Sequence, residues 1–102
     1  MEIFKQLKKL GYKHYIDLTI EELDALPIDN IEKRIEYSLV IDWFREKHKL
    51  DIIISSNLLG YGFIIYQRYP PKNILDKREF QYYQEAREQA ILKTIELCQK
   101  EK

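Results

Sequence analysis

A single cysteine, Cys98, stands among 102 residues, so no disulfide can form within the chain. That usage fits a reducing compartment, and a cytoplasmic location is expected. Glycine is scarce too. The 3 glycines fall in neither a G-x-G-x-x-G nor a G-x-x-x-x-G-K spacing, which excludes the usual phosphate-cradling loops. No apolar run approaches the roughly 20 residues of a membrane span, and Met1 to Lys5 has no apolar signal-peptide centre. Net charge is missing as well. The 17 basic and 17 acidic residues cancel, so no overall charge draws the chain to nucleic acid.

Hydrophobic residues make up 45% of the chain, enough for a real core, and the length suits one domain. The charges are unevenly spread. Residues 16–32 carry Asp17, Glu21, Glu22, Asp24, Asp29 and Glu32 and no base. Residues 1–15 are instead rich in lysine.

Periodicity divides the chain into an N-terminal helical extension, 1–28, and a core, 29–100. Ile3, Phe4, Leu7 and Leu10 form one stripe of a short helix that Gly11 stops. A connector rich in Tyr, 12–18, follows. Thr19 and Glu22 fit a capping box, opening a short helix that Pro27 closes. Asp29 or Asn30 caps a long helix from Ile31 to about Lys49. Ile31, Ile35, Leu39 and Trp43, widened by Val40 and Phe44, predict its buried stripe. Lys33, Arg34, Glu36, Arg45, Glu46 and Lys47 are left for water.

Two strand-length runs come next, Asp51–Ser55 and Tyr61–Tyr69, joined by a turn at 57–60. Leu50, Ile52 and Ile54 should face the core, because burying Asp51 on the other face would be costly. In the second run, Tyr61, Phe63 and Ile65 face inward, and Ile64, Tyr66 and Arg68 outward. Pro70 and Pro71 end it. Lys77–Gln81 is a candidate third strand around Phe80. The last helix runs from about Tyr82 to Gln99, with Ala86, Ala90, Ile91, Ile95 and Cys98 buried. The predicted class is α+β: short helices, then α-β-β-(β)-α, with a small antiparallel sheet covered on one face by helices.

Chemistry-bearing residues do not assemble into a reaction. His48 reads as a helix-terminal cation and His14 as a loop residue; with Cys98 they lack local metal-ligand spacing. Ser55, Ser56 and Asn57 lie at a strand end without a nucleophile-elbow pattern. No catalytic residue, cofactor or metal is expected, and the chain reads as non-catalytic. Two surfaces read instead as contact sites. The acidic residues Asp17, Glu21, Glu22, Asp24, Asp29 and Glu32 could complement a basic groove. Ile53, Ile64, Tyr66 and Arg68 should line the open sheet face, where an apolar patch would mark a protein partner or a homodimer site.

Two resemblances add to this. The order helix, three strands, helix over 31–98, closing on Glu85-Ala86-Arg87-Glu88-Gln89-Ala90, resembles a double-stranded-RNA-binding domain. It implies a dsRBD-like topology and RNA as a partner. Gln81 to Glu85 carries no lysine where that family clusters them, so the contacts implied here are Lys77, Arg78 and Arg87. Trp43-Phe44-Arg45-Glu46-Lys47-His48-Lys49-Leu50-Asp51-Ile52 and Tyr83-Gln84-Glu85-Ala86-Arg87-Glu88-Gln89-Ala90-Ile91-Leu92, within 40–98, resemble small uncharacterised phage and prophage proteins. That likeness implies an accessory protein that binds a host protein, such as an inhibitor of a host defence nuclease of anti-CRISPR type.

Overall fold

A computed structural model describes residues 2–58, 60–68 and 70–100, with Arg78 described by its backbone alone. Its elements are α1 (Ile3–Lys9), α2 (Ile20–Ala25), α3 (Ile31–Lys47), β1 (Leu50–Asn57), β2 (Gly60–Gln67), β3 (Lys72–Phe80) and α4 (Tyr83–Lys100). The class is α+β, and the antiparallel sheet has the order β1-β2-β3. The third strand is longer than Lys77–Gln81. It starts soon after Pro71 and pairs with β2 through two register irregularities. Those irregularities break its alternation, which hid most of it from a period-2 reading. Leu59 and Tyr69, which the sequence places in a turn and a strand, lie outside the described residues.

The β1–β2 register sets the faces. Ile52 opposes Ile65 and Ile54 opposes Phe63; these point to the helices, and Ile52, Phe63 and Ile65 are buried. Asp51 opposes Tyr66 and Ile53 opposes Ile64 on the other face. Helices α3 and α4 both pack on the first face, together with Leu50, Val40, Phe44, Ile91 and Ile95. The protein is 18 Å thick along its shortest axis, which is room for one sheet and its helices, and the second face stays open. Gly60 opens β2 at φ +132°, and a Cβ there would run into the Phe80 carbonyl oxygen.

Helix α3 departs from its predicted stripe. Ile31 and Ile35 are 67% and 53% exposed. Lys33 and Glu36, expected in water, are buried with Tyr37, Val40 and Phe44. The reason is geometric. A four-residue step overshoots a full turn by about 40°, so Ile31, Ile35, Leu39 and Trp43 spiral about 120° around the helix. Lys33, Tyr37, Val40 and Phe44 alternate steps of four and three and stay on one face.

The buried polar groups there are all used. Lys33 Nζ donates to the Leu26 carbonyl at 3.0 Å, closing the C-terminal end of α2. Glu36 is fully buried and accepts from the backbone N–H groups of Tyr15 and Ile16, both at 2.9 Å, and from the Tyr12 hydroxyl. Burial first, then the Glu36 hydrogen bond and charge, push the Tyr12 hydroxyl well above its ordinary range. The N-terminal extension is therefore bolted to the core. Phe4 stacks on Tyr37 with ring centroids 5.3 Å apart, and Tyr37 in turn donates to Glu88 of α4 at 2.8 Å.

Glu36→Ala should destabilise the fold by about 3 kcal/mol or more, because it orphans several buried donors. Tyr12→Phe should cost about 1 kcal/mol, and the double variant less than the sum of the two. Urea unfolding of the three variants measures this directly.

Candidate binding surfaces

The acidic segment is divided between support and surface. Asp24 caps α1 from α2: its carboxylate accepts from Phe4 N–H at 2.8 Å and Lys5 N–H at 3.3 Å. Glu22 completes the expected capping box with Thr19. Both have structural work that follows from unpaired N–H groups at helix starts. Asp17, Glu21, Glu22, Asp29 and Glu32 are exposed, and Glu32 lies in the first turn of α3.

On the open sheet face, Ile53 is 49% exposed and lies opposite Ile64. Tyr66 is half-buried beside them. Asp51 holds the rim. Its two oxygens accept from Arg45 Nε at 2.8 Å and Arg68 Nε at 2.7 Å, so Arg68 is anchored on the strand beside it. Partial burial alone would raise the Asp51 carboxyl, but the hydrogen bonds from Arg68 and Arg45 outweigh it and hold the group below the usual range.

A third surface was not foreseen. Ile31, Arg34, Ile35 and Ser38 of α3 and Arg87 of α4 line a shallow depression of about 350 Å³. The four-residue spacing predicts both isoleucines in the core. The alternative spacing Lys33-Tyr37-Val40-Phe44 was the available signal, obscured by the lysine at its head. Arg87 is only 5% exposed. Its guanidinium lies 5.5 Å from the Tyr37 ring and 5.3 Å from the Tyr83 ring. Burial pulls its pKa down and the nearby Arg34 charge adds to that, while Tyr83, by its charge and a side-chain hydrogen bond, opposes the shift.

Of the residues that the RNA resemblance implies, Lys77 and Arg87 do not come together. Lys77 lies on β3 beside Lys93 and Lys100 of α4, at a different depression from the one Arg87 lines. Arg87 lies on the buried side of α4 and is only 5% exposed, away from the surface that Lys77 shares. The Arg78 side chain lies outside the described residues. His14 donates from Nε2 to the Leu18 carbonyl at 2.6 Å. His48 stacks edge-on against Trp43. Cys98 is buried. Among the described residues no three His, Cys, Asp or Glu side chains gather as a metal site, and no helix is long and apolar enough to cross a membrane. Compared with known proteins, the chain matches no family model, no curated protein and no solved structure.

Asp51→Asn should lower stability at neutral pH by about 1 kcal/mol. A carboxyl with a depressed folded pKa stabilises above its unfolded pKa of about 4, and that contribution is lost as pH falls through the folded value. The gap between wild type and variant should thus be present at pH 7 and close in strong acid, as read by chemical denaturation at both pH values.

Proposed function

We propose that this chain is a non-catalytic binding protein of the phage or prophage accessory kind, acting on a host protein. Its most concrete form is an inhibitor of a host defence nuclease. One observation carries the binding reading. Helix α3 holds two large aliphatic side chains in water, Ile31 at 67% and Ile35 at 53% exposure, while it buries a lysine and a glutamate behind them. Single exposed apolar residues are ordinary. Two on adjacent turns of one helix, beside a depression, have the form of a contact surface. Asp29 and Glu32 flank Ile31 in the chain and are exposed. An apolar centre with acids at its edge suits a partner with a basic rim, such as the groove of a nucleic-acid-binding enzyme. The likeness to phage proteins over 40–98 supplies the choice of host nuclease.

Binding to RNA is the second reading. It is favoured by the α-β-β-β-α order of the core and by Lys77, Lys93 and Lys100 gathered at one depression. It requires RNA binding that weakens steeply with salt and on Lys77→Glu.

Ile31→Asp with Ile35→Asp should leave the unfolding free energy within about 0.5 kcal/mol, because both sites are exposed. The same double variant should lose a partner that the wild type captures from host lysate after nuclease digestion. The captured protein should also show nuclease activity that the wild type suppresses and the variant does not. Equal capture and equal suppression by the variant would refute the assignment of this face.

A further inference from the structure

The depression between α3 and α4 contains an unanswered charge. Two nitrogens of Arg87, Nε and Nη2, are buried and have no hydrogen-bond partner among the described residues. These are the two donors on one side of the guanidinium. Their N–H bonds run parallel, at the spacing of the two oxygens of a single carboxylate. The surroundings supply ring faces from Tyr37 and Tyr83 but no carboxylate: among the described residues neither Arg87 nor Arg34 has an ion pair. Two cations thus share one depression, and no carboxylate among the described residues pairs with either.

We propose that this depression recognises an acidic–apolar peptide segment of a protein partner. Its carboxylate takes the paired Nε and Nη2 donors of Arg87, and its neighbouring aliphatic side chain lies on Ile31 and Ile35. The proposal rests on the binding role given to α3 above and names the chemistry of the partner. Arg34, exposed at the same depression, adds long-range attraction for the acid. Tyr83 is the gate. Of the two rings over the guanidinium, Tyr37 is fully buried, whereas Tyr83 is 39% exposed. Tyr83 is thus the ring with solvent beside it, and Tyr61 lies edge-on to it with centroids 5.9 Å apart. The isoleucines select an aliphatic neighbour for the acid. A polyphosphate backbone offers none.

The test is an NMR titration of the labelled full chain with a blocked tetrapeptide holding one glutamate among leucines. A matched peptide with glutamine and a short oligouridylate serve as controls. The glutamate peptide should shift the Arg87 Nε–H signal and the Ile31 and Ile35 methyls. The glutamine peptide should bind on the order of ten-fold more weakly, the value of a charge-assisted pair. Arg87→Lys keeps the charge but loses the fork, and should weaken the glutamate peptide by a similar factor. Tyr83→Ala should tighten binding by opening the gate. Ile35→Asp, at an exposed site that does not endanger the fold, should abolish it. Equal binding of the glutamine peptide overturns the proposal, and so does stronger binding of the oligouridylate at the same signals. If host-partner capture survives Arg87→Lys but not Ile35→Asp, carboxylate recognition fails while the contact face stands. If it survives both, the face itself fails.

Discussion

The architecture depends on one buried carboxylate. Glu36 lies at the middle of α3 with no exposure, and three donors from the segment between α1 and α2 converge on it. A charge in that position is tolerable only because its acceptor sites are filled. The consequence is that the N-terminal helices have a fixed seat. Residues 12–16 hold no regular hydrogen-bonded structure of their own, yet their backbone direction is set by the oxygens they must reach. Phe4 can then stack on Tyr37, and Asp24 can cap α1 from a separate helix.

The same economy runs through the rest of the interior. Lys33 closes the end of α2, Tyr37 joins α3 to α4 through Glu88, and Thr94 Oγ1 donates within α4 to the Ala90 carbonyl at 2.7 Å. Satisfied polar groups in a core fix one arrangement of the helices, since any other would leave donors unpaired. Arg87 is the exception. It is placed among these groups, close to Tyr37, but its Nε and Nη2 donors are unmet among the described residues. An unmet donor in an otherwise complete network is where a function is reasonably sought. It also borders the two isoleucines that the fold leaves in water.

The open sheet face and the acidic segment are quieter. Asp51 draws Arg45 and Arg68 into a charged rim, so the apolar strip of Ile53 and Ile64 has a polar border. Two of the six acids, Asp24 and Glu22, are engaged at helix starts, and only Asp24 is drawn partly inside; the other five stay exposed. Their remaining charge is enough to bias the sign of a partner but not to define a site.

By itself, the sequence determined the class, the order of elements, the capping box, the inward and outward sets of β1 and β2, and the buried stripe of α4. These depend on local spacing and on the high cost of burying Asp51, both of which act within a few residues. Tertiary structure alone decided the rest. Which face of α3 turns inward depended on what waited there: Tyr12, Tyr15 and Ile16 for Glu36, and the end of α2 for Lys33. Those partners lie 7 to 24 residues away in the chain, beyond the reach of periodicity. The length of β3 depended on pairing with β2 across irregular register. The depression at Arg87 exists only because two helices distant in sequence meet. A polar side chain looks like surface until its partners are known, and here the partners put lysine and glutamate inside and isoleucine out.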